Sequence, residues 1–217
     1  MFKKVYTKVG KGYSRDKLKY FATDEFTLDL ACGNSPLKDY MPNRIGCDII
    51  DGHGVDIIAD AHDLPFEEGH FERVFCLEAI EHFHTPKKVI AEIARVLRPT
   101  GKLIMTVPLC YPVHEAPNDF QRYTEYGLRV LLEEHFTIDE ITPIFSEMQT
   151  ISILLQRIGF QKDMSRLTRW IICAVSHLLF AWDSGRFKLK GRPYQDIGKT
   201  RPGVFMTSSY LMIAERK

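Results

Sequence analysis

The chain has 217 residues, of which 45% are hydrophobic and 26% are charged, which are ordinary proportions for a globular protein. The length fits a single domain with a sizeable core. The formal net charge of +1 gives no electrostatic reason to expect a nucleic-acid partner.

Cysteine usage indicates a reducing compartment. The five cysteines are scattered, form no C-x-x-C pair and match no zinc-ligand spacing. We therefore expect a cytoplasmic protein without disulfides. The opening sequence, MFKKVY, lacks the apolar run of a signal peptide, and we expect no such peptide.

Strand and helix patterns alternate along the chain. Apolar runs predict strands at 26–31, 44–49, 55–59 and 71–77, with a short helix or loop after the first. Helical spacing of apolar residues predicts a helix over 86–97, a strand follows at 103–107, and Thr124 is expected to cap a helix over 124–135. The last strand candidates are 138–144 and 210–214. This order predicts an open, mostly parallel α/β sheet whose final strand is antiparallel beside the fifth.

These elements predict one domain over 1–217 with four parts. A basic and aromatic arm or helix occupies 1–24, and the core occupies 25–145. A helical cap or insertion follows over 146–206, and the last strand lies within 207–217.

The segment from Trp170 to Trp182 is strongly apolar, but it is too short to span a bilayer. Its length favours a buried or cap helix. The second hypothesis is a peripheral membrane contact through 170–192, in which nearby bases meet anionic headgroups. Those bases are Arg186, Lys188, Lys190 and Arg192.

The run LDLACGNSP at 28–36 carries the strongest functional signal. It is an apolar strand that enters a turn of small residues, and acids follow at Asp48 and Asp60. This order is typical of a nucleotide-like ligand lying across the carboxyl edge of a parallel sheet, with acids on ribose and adenine. A dinucleotide site is disfavoured because the turn lacks G-x-G-x-x-G and Pro36 removes a backbone N–H.

Five segments in order resemble the class I S-adenosylmethionine-dependent methyltransferases. They are residues 28–35, 46–49, 60–66, 78–83 and 97–103, and the resemblance covers about 26–145. It implies a Rossmann-like, seven-stranded, mostly parallel sheet with an antiparallel last strand. Helices would cover both faces, and a helical insertion would precede the last strand. It also implies an enzyme with S-adenosylmethionine as cofactor and S-adenosylhomocysteine as product.

The same resemblance implies a set of residues around the cofactor. Asp29 and the Gly33 turn would hold its amino-acid end, Asp48 its ribose hydroxyls and Asp60 its adenine amine. For Asp29 and Asp60 the alternative is turn or cap chemistry. Many members carry glycine at the position of Ala31, so we expect either a negative φ there or a displaced loop. The full set is Asp29, Ala31, Cys32, Gly33, Asn34, Asp48, Ile49, Asp60, Ala61, His62, Leu77 and Glu78.

The segment 111–124 is expected to form the acceptor side. It resembles an H-x-x-P-x-D-F-x-R-Y-T run of a subset of these enzymes, several of which act in bacterial glycan or envelope pathways. His114 is the first candidate general base, followed by His82 and Asp119. Arg122 would hold an acidic group of the acceptor or pair with Asp119. The residues expected to bind the acceptor are Tyr111, His114, Arg122 and Tyr123.

The predicted function is methyl transfer from S-adenosylmethionine to a small-molecule or glycan/lipid-linked acceptor, on oxygen. The alternative is a non-catalytic regulatory or membrane-surface protein that binds the cofactor. No nucleic-acid partner is expected. No metal is expected either, because His62, Asp63, His82 and His84 match no zinc pattern.

Overall fold

A computed structural model describes Lys8 and residues 20–160, 163–183 and 206–217. Most of the predicted arm at 1–24 and the four bases of 186–192 lie outside the described residues. Contacts group the chain into two units. We call residues 15–109, 113–142 and 210–217 the sheet unit, and residues 1–14, 110–112 and 143–209 the helical unit.

Seven strands of the described chain form one sheet. They are β1 (Thr27–Leu30), β2 (Arg44–Asp48), β3 (Ile57–Ile58), β4 (Phe71–Leu77), β5 (Leu97–Pro108), β6 (Phe136–Pro143) and β7 (Ser209–Arg216). The sheet order is β3-β2-β1-β4-β5-β7-β6, with β1 to β5 parallel and the last strands antiparallel. The predicted fold class is confirmed.

The position of β1 decides where a ligand can bind. The chain builds β2 and β3 on one side of β1 and then crosses to place β4 on the other side, with Leu28 in register with both Ile45 and Val74. The strand order therefore reverses between β1 and β4. In open parallel sheets the crevice for ligands lies at such a reversal, beyond the carboxyl ends of the strands.

Both faces of the sheet are buried. All four residues of β1 are buried, and in β4 successive side chains enter different core clusters. Val74 and Cys76 belong to the larger cluster, whereas Phe75 packs with Leu37 and Met41 in the smaller one. Side chains alternate across a strand, so these clusters lie on opposite faces. This double burial explains the continuous apolar runs that predict the central strands.

Within the described residues, two α-helices belong to the sheet unit. Helix α1 (Pro86–Val96) starts at a proline and buries one apolar face. Helix α2 (Glu125–Leu132) starts where the Gly127 N–H donates to Thr124 Oγ1 at 3.1 Å, which confirms the predicted cap.

Strand β5 begins at Leu97, earlier than predicted, because a register shift against Phe71 and Arg73 accommodates the Pro99–Gly101 turn within the strand.

The helical unit pairs α3 (Glu147–Gly159) with α4 (Arg166–Ala181). Helix α3 begins with a capping box of Ser146 and Gln149. The two helices approach closely through small residues, because the hydroxyl of each of Ser152 and Ser176 donates to the carbonyl oxygen of the other. A side chain at Gly159 would approach the sulfur of Cys173 to 3.0 Å.

Helix α4 leaves an apolar stripe exposed. Leu178 is 70% exposed and Leu167 is 69% exposed, and only Cys173 and Ser176 of the described helix are buried. We call this surface the α4 stripe; it consists of Leu167, Trp170, Ile171, Val175, Leu178 and Trp182. No helix among the described residues is long and apolar enough to cross a bilayer.

The turn after β1 departs from expectation at Ala31. Its φ is +53°, so the backbone adopts the left-handed conformation although the residue is not glycine. The first expected alternative, a negative φ at Ala31, is therefore wrong, because the chain retains the backbone geometry that glycine would favour. The second alternative, a displaced loop, stays a prediction. An L-residue in this conformation costs about 1–2 kcal/mol.

Replacing Ala31 with glycine tests this strain. We expect Ala31→Gly to raise the free energy of unfolding by up to about 1 kcal/mol, because relief of strain exceeds the extra backbone entropy of the unfolded chain. Ala94→Gly, inside α1, is the matched control and should lower it by about 1 kcal/mol. Chemical denaturation measures both, and a destabilised Ala31→Gly would contradict the strain.

Candidate functional site

An open cleft of about 700 Å³ lies within the sheet unit, around the ends of β1, β2 and β4. It adjoins the strand reversal between β1 and β4. Many residues predicted from the sequence line it together. They are Ala31, Gly33, Asp48, Ile49, Asp60, Ala61, His62, Glu78, His82 and His114.

Asp48 is held rigidly at the end of β2. The Gly33 N–H donates to its Oδ2 at 2.9 Å, and the Ile50 N–H donates to its Oδ1 at 3.0 Å. Each carboxylate oxygen has a second lone pair, so two fixed acceptors can meet the neighbouring hydroxyls of a ribose. Gly33 itself has φ +47°, and a side chain there would meet nothing within 4 Å. The turn therefore leaves room for a ligand.

Asp60 and His62 form a second polar pair in the cleft. Asp60 Oδ1 accepts from the His62 backbone N–H at 2.9 Å and lies 2.7 Å from His62 Nδ1. These hydrogen bonds hold the pKa of Asp60 below its ordinary value. Both of these bonds involve Oδ1, so the turn chemistry expected as the alternative is present, and acceptance by Oδ2 from a ligand amine stays a prediction. His62 Nε2 is buried and has no protein partner within the described chain.

Asp29 takes part in a buried ion pair. It is buried, and its Oδ2 accepts from Arg44 Nε at 2.9 Å in an ion pair whose two side chains are almost inaccessible. Cys32 is also buried, and its thiol donates to the Gly54 carbonyl. Asp29, Cys32, Asn34 and Leu77 are not among the residues that line the cleft. Their direct contact with a cofactor stays a prediction.

A second group of side chains meets on the loops that follow β4 and β5. We call Glu81, His82 and His114 the Glu–His–His cluster. Glu81 Oε1 lies 3.6 Å from His82 Nε2 and 3.8 Å from His114 Nε2. The two imidazole rings are 4.8 Å apart and nearly perpendicular. Glu81 is fully buried, and neither carboxylate oxygen has a hydrogen-bond partner in the described chain.

Asp119 orients His114. Its Oδ2 accepts from the His114 backbone N–H at 2.9 Å and lies 3.2 Å from His114 Nδ1. Arg122 holds the same carboxylate through two nitrogens, at 2.5 and 2.7 Å. The Arg122 hydrogen bond places the pKa of Asp119 far below its ordinary value, so this carboxylate is ionised. Arg122 thus contacts Asp119, which is one of the two alternatives stated for it.

The two predicted tyrosines do not line the cleft. Tyr111 belongs to the helical unit, where the Arg157 guanidinium lies 5.1 Å from its ring centre. The Tyr123 hydroxyl donates to Gln121 Oε1 at 2.9 Å, and burial raises its pKa. Their roles in acceptor binding stay predictions.

Sequence reasoning missed Glu81 as a functional residue. It also missed Phe83, His84, Asn118 and Phe120 as part of the cleft wall. Glu81 directly precedes the predicted His82, and an acid in an otherwise apolar segment was the available signal. Its burial arises because the Phe120 N–H donates to the Glu81 carbonyl at 2.9 Å and anchors the 113–123 loop over it.

Comparison with known proteins agrees with this geometry. A family model described as a methyltransferase domain matches residues 28–105. Demethylmenaquinone methyltransferase from Paenarthrobacter aurescens is 27% identical over 158 residues, which cover 66% of this chain and 59% of that protein. Over residues 28–105 the chain is therefore similar to the class I S-adenosylmethionine-dependent methyltransferases. The family uses S-adenosylmethionine, so the predicted family, enzyme class and cofactor are confirmed at this level.

Solved structures share the fold. A 1,6-didemethyltoxoflavin-N1-methyltransferase from Burkholderia thailandensis, solved with S-adenosylhomocysteine, matches with a TM-score of 0.56 at 14% identity, over 95% of this chain and 77% of that one. The [4+2]-cyclase SpnF matches with a TM-score of 0.57 at 15% identity, over 94% and 81%. The present chain spans less than two thirds of the length of the curated relatives that it matches first.

The cleft fits the family's cofactor on its own evidence. Asp48 offers two oriented oxygens, Gly33 leaves open space, and His62 presents a buried nitrogen that lacks a protein partner. Glu78, like Ala31, adopts a positive φ of +51° at the cleft wall. Left-handed conformations in non-glycine residues cluster at functional sites because the surrounding structure must enforce them.

Glu81 gives the chain a pH-dependent stability. Burial, with a contribution from Glu78, raises the pKa of Glu81 from 4.5 to about 8. Its contribution to stability is fully present below pH 4.5 and is lost as the pH rises toward 8, because the folded chain disfavours the carboxylate. We expect the free energy of unfolding to fall by up to about 1.4 kcal/mol per pH unit across this window.

Denaturation at several pH values, with a chelating agent present, measures this slope. Glu81→Gln should flatten it, because the amide does not ionise. Glu67→Gln, at an exposed position, should retain the slope of the parent chain. An equal slope in Glu81→Gln and the parent chain would contradict the assignment.

Proposed function

We propose that this methyltransferase transfers a methyl group from S-adenosylmethionine to a hydroxyl oxygen of a small-molecule or glycan/lipid-linked acceptor. The observation that carries the proposal is that one cleft is lined both by Asp48, fixed by two backbone N–H groups, and by the imidazoles of His82 and His114. The first is suited to a ribose, and the second to a hydroxyl that must lose its proton.

The residues around Asp48 would hold the cofactor. Bound S-adenosylmethionine supplies an electrophilic methyl group on a sulfonium sulfur. Asp48 accepts hydrogen bonds from the ribose hydroxyls, and Asp60 Oδ2 accepts from the adenine amine. The Gly33 turn allows the backbone to approach. Methyl transfer needs mainly orientation and proximity, so rigid positioning of these groups is their main contribution.

The Glu–His–His cluster would receive the proton of the acceptor hydroxyl. Asp119 is ionised and lies against His114 Nδ1, which fixes the proton there and leaves Nε2 as the basic atom. His82 is held in the same way, since its Nδ1 lies 2.5 Å from the Asn118 carbonyl oxygen. A positioned base of this kind contributes typically about 10²–10⁴-fold to rate.

The choice of oxygen and the choice of a glycan or lipid-linked acceptor rest on two separate observations. Oxygen is favoured because hydroxyls need a base and the cleft offers two imidazoles. The glycan or lipid-linked class is favoured by the resemblance of the 114–124 run to enzymes of envelope pathways. The structural neighbour named as a cyclase has the same fold, so the fold alone is compatible with catalysis other than methyl transfer.

Asp48→Ala tests the cofactor site. We expect its affinity for S-adenosylmethionine to fall by roughly 100-fold, because two hydrogen bonds to a charged acceptor are lost. Asp51→Ala, three positions along on the exposed loop, is the matched control and should bind like the parent chain. Calorimetric titration with S-adenosylmethionine and S-adenosylhomocysteine measures both. Unchanged affinity in folded Asp48→Ala would contradict the assignment.

His114→Ala tests the acceptor side. With a hydroxyl acceptor found by screening sugars, lipid-linked glycans and phenols, kcat should fall by about 100-fold or more, while cofactor affinity stays unchanged. His135→Ala, at a half-buried histidine that follows α2 and does not line the cleft, is the control. Release of S-adenosylhomocysteine measures turnover, and mass spectrometry of the product locates the methyl group. A methyl group on nitrogen would reject the oxygen assignment.

The α4 stripe supports a second proposal, namely peripheral contact with an anionic lipid surface. The stripe is continuous along one helix, and the sequence that follows it carries four bases over 186–192. An apolar face combined with nearby bases is the pattern of an interfacial helix.

Co-sedimentation with anionic phospholipid vesicles tests the lipid contact. We expect Leu178→Asp to abolish binding, because it places a charge at the most exposed position of the stripe. Glu147→Gln, at the start of α3, serves as the control outside the stripe. Failure of the parent chain to bind the vesicles would reject this proposal and leave methyl transfer untouched.

A further inference from the structure

The Glu–His–His cluster brings three potential metal-ligand atoms together, and Glu81 hydrogen-bonds to neither imidazole. The distances of 3.6 and 3.8 Å from Glu81 Oε1 to the two Nε2 atoms are too long for hydrogen bonds. All three ligand atoms lie within 4.8 Å of one another. The groups therefore face a common point rather than bond to each other.

The protons of both imidazoles are directed away from this point. His82 Nδ1 donates to the Asn118 carbonyl, which has no proton to give in return. His114 Nδ1 faces the ionised carboxylate of Asp119. In each neutral ring the proton then sits on Nδ1, and the lone pair of Nε2 faces Glu81.

Glu81 makes the lack of a partner costly. Its side chain is fully buried, and both oxygens lack hydrogen-bond partners in the part of the chain that the structure describes. Buried carboxylates are normally paired or bound to a metal. We infer that Glu81, His82 and His114 bind a divalent transition-metal ion through Glu81 Oε1 and the two Nε2 atoms.

The geometry is close to that of a bound ion. Ligands about 2.1 Å from a tetrahedral metal stand roughly 3.4 Å apart, so the observed distances need only small side-chain movements. Two imidazoles and one carboxylate suit zinc and the neighbouring divalent metals rather than magnesium or calcium. The hydrogen bonds from both Nδ1 atoms are the outer contacts that orient metal-binding histidines.

The surrounding charges favour a cation. The negative charges of Glu78 and Asp119 both raise the pKa of Glu81, and they are opposed by its own backbone N–H and by Arg122. Glu115 Oε2 lies 4.0 Å from His82 Nε2, which places a second carboxylate within reach as a further ligand. The cluster also lines the cleft through His82 and His114, so an ion there is accessible to an acceptor.

Two histidines from separate loops explain why the sequence predicted no metal. Glu81 and His82 follow β4, whereas His114 follows β5, and zinc patterns are recognised by short spacings. The expected absence of a metal is thus replaced by a site that only the fold assembles. With an ion bound, the two Nε2 lone pairs are ligands and are no longer bases; in methyl transfer the ion would instead hold the acceptor oxygen and lower the pKa of its hydroxyl. That role rests on the proposed function, whereas ion binding does not.

Titration of the chelator-treated full chain with Co²⁺ tests the inference, followed by visible absorption and by competition with Zn²⁺. We expect saturable binding of one equivalent. Glu81→Gln and His82→Ala should each weaken binding by at least about 100-fold, and Asp119→Asn, which alters an outer contact, by about 10–100-fold. His135→Ala should bind Co²⁺ like the parent chain, and circular dichroism confirms that each variant is folded.

Absence of saturable Co²⁺ and Zn²⁺ binding would overturn the inference, as would equal binding by the parent chain and the folded variants. Calorimetry with S-adenosylmethionine separates this result from the proposed function. Metal binding without cofactor binding would retain the metal site and reject the methyltransferase activity. If cofactor binding and turnover persist in chelator and no metal binds, the methyltransferase activity is retained and the metal site is rejected.

Discussion

The guanidinium of Arg44 connects the segments on which the cofactor cleft depends. It pairs with Asp29 at the middle of β1, contacts Asp56, and donates to the Gly54 carbonyl. Gly54 in turn donates to the Gly33 carbonyl at 3.1 Å, and the Gly33 N–H donates to Asp48. One buried cation therefore fixes the turn that orients the carboxylate of Asp48.

Gly46 shows how closely the chain is fitted around that cation. A side chain at this position would lie 2.2 Å from Arg44 Nη2 and 2.1 Å from the Gly54 carbonyl oxygen, so glycine is needed for Arg44 to occupy its place. Removing one member of a buried pair leaves an uncompensated charge that costs about 3–5 kcal/mol. Asp29 thus positions the cleft indirectly, through its ion pair with Arg44. This explains why a residue of the motif is buried and does not line the cleft.

The sequence predicted what depends on local patterns. Strands β1 and β4 and the Thr124 cap follow from apolar runs and from capping chemistry, and the Asp48 and Asp60 positions follow from strand ends. It did not predict φ at Ala31, because the surrounding hydrogen bonds impose that conformation against the preference of the residue. Nor did it predict Glu81 as a partner of His114, since that contact requires two loops to meet through the Phe120–Glu81 hydrogen bond.

The two halves of the cleft follow different physical rules. Both carboxylate oxygens of Asp48 accept from backbone N–H groups, so this carboxylate is held in place before any ligand arrives. Both carboxylate oxygens of Glu81 are buried and have no hydrogen-bond partner among the described residues, so the second half leaves a buried acid uncompensated until a proton or an ion is added. A fold shared with a cyclase cannot determine chemistry. The chemistry has to be argued from the residues of the cleft, and in both proposals above Glu81, His82 and His114 are the place where an added proton or ion would enter the reaction.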